Sequence, residues 1–460
     1  EHDIFFGHPC GGQGKCGKCL VKFHHHAPQP TDKEKTLLSP EQLTQGMRLS
    51  CKTKPYKDCT ISLMGAGPTQ FQFTLSDQTT ERVVIETEVH KIAIRLQMPT
   101  LENQGNYLER LLDQLKINNV TFPDSERVAN SEVLRKLPSV CANSDGLMSV
   151  IYDDRQILEI EPGDDWERLL GIAVDIGTTT VAARLLDLVT GEVITQAATL
   201  NSQSGVGVDV ISRIEYCQKG EQGVRLLQEQ ICKDLQSLTH RLLSNAGEKA
   251  SSVAQFSVMG NTTMAHLLLG VNPMSIAHAP YTPSWTQIVR VPASELGLEL
   301  ASGCEVIIGP AAAAYVGADI LAGLVACGMD QSEEMSLLVD VGTNGEMVLG
   351  NKHRLLAAAT AAGPAFEGAQ ISCGTWAAPG AVEHVEINKQ VHLQTIQNLP
   401  PIGVCGSGLI DLTAELVRVG VVTPAGKMLG PKQADDIPVE IQVRMKEING
   451  QPAFYLFDYD

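Results

Sequence analysis

Long apolar runs are missing from this sequence of 460 residues, and so is an excess of basic charge. No stretch approaches the about 20 apolar residues of a membrane-spanning helix, and the start shows no basic segment with an apolar run, so neither a membrane span nor export is indicated. Lys and Arg number 35 against 53 Asp and Glu, a net charge of −18. Such acidity disfavours nucleic acid or an anionic membrane as the main partner. These absences predict a cytoplasmic protein.

A regular framework of paired cysteines is missing too, although the chain has 12 cysteines. Only those near the N-terminus are clustered. Other cysteines are scattered through apolar segments or segments with a helical pattern: Cys141, Cys217, Cys232, Cys304, Cys327, Cys373 and Cys405. This distribution favours a reducing compartment and one metal site over a disulfide scaffold.

What is present favours a multi-domain protein of α/β and α+β type. Hydrophobic residues make up 43% of the chain and glycine contributes 41 residues, which is typical of a folded α/β protein. The length predicts about three domains. Changes in composition and pattern place the domain boundaries near residues 78 and 167. Residues 1–78 form a small, weakly basic region and residues 79–167 an α+β region. In residues 168–460, short apolar strands alternate with glycine turns and helices.

Local patterns predict several elements within these domains. A serine cap before Pro40 begins a short helix over 39–47, because serine caps and proline suits the first helical position. Apolar periodicity predicts the remaining elements. These are strands at 82–89, 91–98 and 147–153 and helices at 105–116 and 131–140.

Four cysteines near the N-terminus have the order of a [2Fe–2S] site. Cys10, Cys16 and Cys19 follow the spacing C-x5-C-x2-C, and Cys51 lies further along in the text RLSC. Plant-type clusters are held by C-x4-C-x2-C and a distant fourth cysteine, so the first gap here is one residue longer. A zinc site or disulfides are the alternatives, but only one close C-x2-C pair is present. Cys59 is a second candidate for the fourth ligand.

Small residues surround these cysteines. Glycine adopts positive φ at little cost, so the loop can curl around a cluster and bring backbone N–H groups to its sulfurs. The glycines are Gly11, Gly12, Gly14 and Gly17. The same text matches a P-loop from Gly12 to Lys18, but Cys19 stands where a Mg²⁺-binding Ser or Thr belongs, which disfavours that interpretation. The histidines at 24–26 are interpreted as an exposed polar loop.

An internal repeat indicates phosphate binding. Residues 169–193 and 336–356 each read as an apolar strand, Asp-x-Gly-Thr, a second strand, a glycine turn and a third strand. Successive N–H groups and hydroxyls after such a turn can donate to phosphate oxygens, and an aspartate can hold Mg²⁺ through water. We expect Asp175 and Asp340 to be catalytic. The expected phosphate ligands are Gly177, Thr178, Thr179, Thr180, Gly342, Thr343, Asn344 and Glu346.

These motifs resemble those of the actin, sugar-kinase and Hsp70 ATPase superfamily. The stretch 175–180 resembles its first phosphate motif, 340–346 its second, and 309–323 its first connecting helix. The stretch 403–411 (GVCGSGLID) resembles a glycine-rich turn before a helix, which adds Gly406 and Ser407 to the expected ligands. The resemblance implies duplicated, ribonuclease H-like lobes that grip ATP and Mg²⁺ from both sides.

Together with the cysteine-rich N-terminus, the chain resembles the ATP-dependent reductive activators of corrinoid proteins. The resemblance extends through 201–214, 259–273 and 363–368. It implies a small ferredoxin-like [2Fe–2S] domain, an α+β middle domain and an actin-like ATPase domain. The implied activity is reduction of a Co(II) corrinoid to Co(I), in a transient complex with the corrinoid protein and with electrons from an unidentified donor. The oligomeric state is left open, a homodimer included.

Two features depart from that pattern. Only nine residues precede Cys10, where ferredoxin-like domains normally have strands, and the adenosine turn GG-x-[AG] is not found before Asp460. We therefore expect the domain at either end to be incomplete in this sequence.

Three alternative functions stay open at this point. One is an activator of another low-potential enzyme such as a hydroxyacyl-CoA dehydratase, although such activators lack an N-terminal ferredoxin-like domain. Another is an electron-transfer or redox-sensing module with a degenerate nucleotide domain. A sugar kinase is the weakest, because it leaves four cluster-spaced cysteines unexplained.

Several polar or aromatic residues have two interpretations. Asn261, with Thr262 and Thr263, either lines the cleft implied by the resemblance or simply caps a helix. His266 is expected to be packed rather than catalytic. Tyr281 and Trp285 lie in a proline-rich loop and contact either a partner or the loop itself. Glu367 faces either the nucleotide, the partner or neither.

Overall fold

The computed structural model describes residues 14, 17, 19–63, 87–123, 128–164, 168–207, 209–342, 344–360, 373–375, 377, 379–433, 437–448 and 450–457. Cys10, Cys16, Thr343, the segment 363–368 with Glu367, and most of the strand expected at 82–89 lie outside these residues. The chain divides into two compact units. One comprises Glu1–Phe73, Ser204–Ser212 and Gln331–Asp460, and the other comprises Thr74–Gln203 and Arg213–Asp330.

The N-terminal region contains a small antiparallel sheet with two short helices. Its elements are β1 (Leu20–Phe23), α1 (Asp32–Leu37), α2 (Pro40–Thr44), β2 (Met47–Leu49) and β3 (Ile61–Leu63), with the strand order β2-β1-β3. Ser39 caps α2 and Pro40 occupies its first turn, as predicted, but the helix ends at Thr44 because Met47 already pairs with β1.

The middle region packs two helices on a three-stranded antiparallel sheet. Its elements are β4 (His90–Arg95), α3 (Tyr107–Ile117), α4 (Ser131–Asn143), β5 (Leu147–Tyr152) and β6 (Ile157–Pro162), in the order β4-β5-β6. Asn106 and Asn130 cap the helices through side-chain oxygens. Both predicted helices and the strands expected at 91–98 and 147–153 are confirmed, with shifted ends. Their apolar faces form one core that includes Leu111, Leu137 and Met148.

Residues 168–330, the first lobe, form a six-stranded sheet with helices. The strands are β7 (Leu170–Ile176), β8 (Thr180–Asp187), β9 (Val193–Leu200), β10 (Val253–Gly260), β11 (Val289–Pro292) and β12 (Glu305–Ile308). Their order is β11-β12-β10-β7-β8-β9. β7, β8 and β9 are antiparallel neighbours, while β10 runs parallel to β7 and β12. This antiparallel meander continued by parallel strands fits the expected ribonuclease H-like arrangement.

The helices of this region cover the sheet. They are α5 (Val210–Tyr216), α6 (Glu221–Ala246), α7 (Thr262–Leu268), α8 (Met274–Ala277) and α9 (Ala318–Ala326). On α6, Leu227, Ile231, Leu235, Leu238 and Leu242 recur at three- and four-residue intervals and are fully or almost fully buried. The connecting helix expected over 309–323 begins only at Ala318, because the residues before it form turns. Across the described ranges, no helix is both long and apolar enough to span a membrane.

Residues 331–457, the second lobe, contain three small sheets. Strands β13 (Ser336–Val341), β14 (Gly345–Asn351) and β15 (Arg354–Thr360) form an antiparallel meander. β16 (Ala381–Ile387), β17 (Val391–Thr395) and β18 (Gly403–Val404) form a second sheet, on which α10 (Gly406–Arg418) packs. The third sheet pairs β19 (Met445–Ile448) with β20 (Gln451–Phe454) and follows the short helix α11 (Val439–Gln442). The repeat predicted at 336–356 is thus confirmed as a meander. Within the described residues of this lobe, no parallel strand extends the meander, whereas parallel strands extend the meander of the first lobe.

Candidate functional site

Two of the four predicted cluster ligands lie side by side. The Sγ atoms of Cys19 and Cys51 are 3.2 Å apart. A disulfide bond measures about 2.05 Å, so these are neighbouring thiols that form no disulfide. Cys19 is buried among Leu38 and Leu49, and Cys51 packs at the edge of that cluster. Adjacent thiols with an apolar backing are a donor set that suits iron.

The segment that carries Cys51 is held by a buried carboxylate. Glu34 is fully buried on α1 and accepts hydrogen bonds from Leu49 N at 2.8 Å and Thr53 Oγ1 at 2.7 Å. It also accepts from the N–H and hydroxyl of Thr31. Burial alone raises the pKa of Glu34, but these hydrogen bonds outweigh it and lower the pKa below its usual value. The ionised carboxylate therefore holds the Leu49 backbone before Cys51 and the Thr53 side chain after it.

The loop before Cys19 approaches the same segment closely. Gly14 and Gly17 both have positive φ, and a Cβ at Gly14 would meet the Lys52 side chain at 2.6 Å. The residues present thus fit a cluster-binding loop. Cys59 is half-buried, and no group of three metal-binding side chains occurs within the described residues, to which Cys10 and Cys16 do not belong.

The first hairpin motif forms a tight turn between β7 and β8. Gly177 N donates to Thr180 O at 2.9 Å, and a Cβ at Gly177 would lie 2.7 Å from that same oxygen. Only glycine therefore fits without a shift of the backbone. Asp175 is exposed near the end of β7, whereas Thr178 is largely buried and its Oγ1 accepts from Asn261 Nδ2 at 3.3 Å. Thr179 and Thr180 are half-buried.

The second hairpin motif also joins two antiparallel strands, in the second lobe, through a turn that is one residue shorter. Asp340 pairs with Glu346 across β13 and β14, and Gly342 N donates to Asn344 O at 3.0 Å. Glu346 is largely buried. Asp340 is exposed, yet partial desolvation raises the pKa of its carboxyl above the usual value. Asp175 and Asp340 belong to different units.

The glycine-rich stretch at 403–411 forms the predicted turn before a helix. Cys405 precedes α10, and Gly406 and Ser407 occupy its first turn. The first N–H groups of a helix have no partner within it, so this turn is suited to an anion. Gly408 lies against the Val382 carbonyl, where a side chain would clash.

The described residues for which the sequence allowed two interpretations are packed or hydrogen-bonded within the first lobe. Asn261 caps α7 through Met264 N, and Thr262 and Thr263 are buried, with the Thr262 hydroxyl donating to Ala313 O. His266 is fully buried, as expected, and stacks on Trp285 with ring centroids 4.0 Å apart.

Tyr281 is half-exposed beside Tyr315. Two buried residues that the sequence reasoning did not single out, Asn201 and Arg213, lie directly behind the first turn. Both lie within the stretch 201–214, which carries part of the family resemblance.

Matches to known families cover most of the chain. Residues 1–56 match the "2Fe-2S iron-sulfur cluster binding domain", 78–167 the "RACo linker region", 170–332 the "RACo middle region", and 334–451 the "C-terminal domain of RACo the ASKHA domain". ASKHA is the ATPase superfamily whose motifs the hairpins resemble. The multi-domain fold class predicted from the sequence is therefore confirmed.

Individual relatives agree with these matches. The chain is 28% identical to "Corrinoid activation enzyme RamQ" of Eubacterium limosum, over 96% of this chain and 70% of the relative. It is also 28% identical to "[Co(II) methylated amine-specific corrinoid protein] reductase" of Methanosarcina barkeri, over 57% of this chain and 54% of that one.

A solved structure is similar over nearly the whole chain. It is named "Reductive activator for corrinoid, iron-sulfur protein", and the match has a TM-score of 0.71 and 35% identity over 97% of this chain and 72% of that chain. An identity and a coverage of this size, together with the four matched regions, lead to one conclusion: the chain belongs to the RACo family of reductive activators of corrinoid proteins.

Proposed function

We propose that this protein uses ATP to drive the one-electron reduction of a corrinoid protein from Co(II) to Co(I). The observation that carries the proposal is the union, in one chain, of a [2Fe–2S]-type domain with an ASKHA domain, over a length similar to a reductive activator. The adjacent thiols of Cys19 and Cys51 and the two Asp-x-Gly hairpins support it.

Energetics explain why one protein would combine these parts. A [2Fe–2S] cluster held by the N-terminal cysteines supplies one electron at a time, at about −400 mV for the plant type. For a single electron, each 59 mV of uphill transfer costs about a factor of ten in the equilibrium constant. A nucleotide shifts that equilibrium only if it binds two conformational states with different affinity. ATP turnover would therefore have to change how the partner holds its cobalt.

The residues have separable roles in this proposal. Cys10, Cys16, Cys19 and Cys51 hold the cluster. Asp175 and Asp340, each at its own hairpin, would hold Mg²⁺, whose charge would favour phosphoryl transfer. The remaining hairpin residues, with Gly406 and Ser407, bind phosphate through N–H groups and hydroxyls.

The direct test mixes the chemically reduced protein, MgATP and candidate Co(II) corrinoid proteins, and records the Co(I) absorption band. We expect the band only when all three are present. Reduction at the same rate without ATP would instead indicate an electron-transfer module whose nucleotide domain is degenerate. ATP turnover that no corrinoid protein stimulates would indicate an activator of a different low-potential enzyme.

The identity of the fourth ligand has a matched test. Cys51→Ser should lose most of the visible absorption of the reconstituted cluster, because its sulfur lies 3.2 Å from that of Cys19. Cys59→Ser, which removes a thiol of the same neighbourhood, should keep the spectrum. The opposite pattern would assign the fourth ligand to Cys59.

A further inference from the structure

In the first hairpin turn, the carbonyl groups of residues 177–180 each accept a hydrogen bond from a donor in the first lobe. Gly177 O accepts from Asn201 Nδ2 at 2.9 Å, and Thr179 O accepts from Asn201 N at 2.8 Å. Thr180 O accepts from Gly177 N at 2.9 Å. The remaining carbonyl, that of Thr178, accepts from Arg213 Nη2. One side of the turn is therefore anchored at every peptide.

Arg213 is an unusual anchor because it is fully buried and permanently charged. It extends from α5, and its Nη1 lies 3.0 Å from Gln203 Oε1 and 3.1 Å from Met264 Sδ. Gln203 is itself buried and fixed, since its Nε2 donates to Leu227 O at 2.9 Å. The guanidinium fork is thus held in one orientation by partners that are themselves immobile.

A buried guanidinium is costly unless its charge is compensated. One compensating group is Asp234, whose carboxylate accepts from Ser202 N at 2.8 Å and Ser202 Oγ at 2.6 Å. Burial raises the pKa of Asp234, while the Ser202 hydrogen bonds and the charge of Arg213 act in the opposite direction. The positive charge nevertheless lies one peptide group behind the turn, where fixed charges favour an anion on the other side.

We propose that Arg213 is a positioning residue for the phosphate turn at 175–180. Its hydrogen bond to the Thr178 carbonyl holds the turn in its binding shape, and its buried charge favours a phosphate there. This inference rests on the proposed nucleotide site and adds to it a residue that touches no ligand. Arginine is required over lysine, because only the planar fork reaches Thr178 O, Gln203 and Met264 together.

The test measures the affinity of the purified protein for MgATP by titration calorimetry, with unfolding temperature recorded in parallel. Arg213→Lys keeps the charge but loses the fork, and we expect about tenfold weaker binding. Arg213→Met also loses the charge, and we expect a loss of about a hundredfold. Gln203→Ala keeps the charge and loosens its orientation, which should weaken binding about threefold.

Two controls separate positioning from general stability. Val306→Ala makes a cavity in the core strand β12 and should lower the unfolding temperature without changing MgATP affinity. Inorganic tripolyphosphate, used as a competitor, should lose affinity in the same proportion as MgATP, because the guanidinium acts on phosphate and not on adenine.

The outcomes are distinguishable. If the wild-type protein binds no MgATP, the proposed function fails and this inference fails with it. If the wild type binds MgATP and the Arg213 variants bind it equally well, only the inference is overturned. If the Arg213 variants do not fold, Gln203→Ala decides, since unchanged affinity in that variant also overturns it. A loss confined to MgATP, with tripolyphosphate unaffected, contradicts a role at the phosphates.

Discussion

The two Asp-x-Gly hairpins share a sequence pattern and antiparallel strand pairing, but their turn lengths and their surroundings differ. In the first, Ile172, Val174 and Ile176 of β7 are buried within a six-stranded sheet. In the second, a cross-strand row of β13, β14 and β15 stays open: Leu337 is 60%, Leu349 48% and Leu356 54% exposed. Among the described residues of this meander, Val348 is the most deeply buried apolar side chain.

This difference teaches that the motif specifies a hairpin, whereas the residues around it determine how firmly its turn is held. Asn201, Arg213 and Asn261 support the first turn by hydrogen bonds from three separate segments. The tightness of the two turns differs as well, because the nearest contact of a Cβ at Gly342 among the described residues would be Asn344 O, at 3.6 Å. The first hairpin should therefore be sensitive to packing changes that the second tolerates.

The largest expected effect is a loss of ATP turnover when the aspartate that both hairpins share is replaced. Asp175→Ala and Asp340→Ala should each reduce ATP turnover at least about a hundredfold, because Mg²⁺ and water positioning supply most of phosphoryl-transfer catalysis. The visible cluster spectrum should be unchanged in both. Asp330→Ala, at an exposed aspartate outside both motifs, is the control. Loss of the spectrum together with turnover would count against separate modules.

The next effect is a difference between the two hairpins in how much a truncated apolar side chain lowers stability. Leu185→Ala, at a fully buried position of β8, should cost about 2–5 kcal/mol of unfolding free energy, while Leu349→Ala, at a half-exposed position of β14, should cost less than about 1 kcal/mol. Urea unfolding, combined with amide exchange over each hairpin, measures both. Equal costs would mean that the open face of the second meander is covered in solution.

A smaller effect compares the two turn glycines. Gly177→Ala must displace Thr180 O, which its Cβ would meet at 2.7 Å, and overpacking of this kind costs about 1–3 kcal/mol. Gly342→Ala has room and should be nearly neutral. Unfolding free energy and MgATP affinity are the measurements. A Gly342→Ala variant as damaged as Gly177→Ala would show that both turns are equally tight.

The smallest effect is a pH dependence confined to the first lobe. Fully buried His266 lies 2.8 Å from Thr262 O through Nδ1 and accepts from Ser284 N at Nε2, and burial lowers its pKa below the usual 6.5. Below about pH 6.5 the unfolded chain binds a proton that the folded lobe does not, so stability falls as pH decreases. Described histidines of the second lobe are exposed.

The measurement for this prediction is the unfolding free energy between pH 7.5 and about 5, a range that spans the usual histidine pKa. His266→Gln keeps a donor and an acceptor and should flatten the dependence of the first lobe. A slope that survives this substitution would assign the pH dependence to other groups.

Sequence patterns predicted the parts of the fold that are written locally. The strand–turn–strand pattern predicted both meanders, the serine cap and Pro40 predicted the helix at Pro40–Thr44, and apolar periodicity predicted the helix at Tyr107–Ile117. The RLSC context favours Cys51 as a partner of Cys19, and their thiols are neighbours, while their role as cluster ligands stays a prediction. The contacts of Arg213 do not follow from a local pattern, because 35 residues separate it from Thr178 and only the folded lobe brings the two together.

The central claim is that ATP and the cluster serve one energised reduction. The most direct test is a redox titration of a Co(II) corrinoid protein mixed with this protein, at fixed ambient potentials near −400 mV, the value of a plant-type cluster. The account predicts a larger Co(I) fraction with MgATP than without it, and no such gain in Asp340→Ala. An identical Co(I) fraction with and without MgATP would contradict the account.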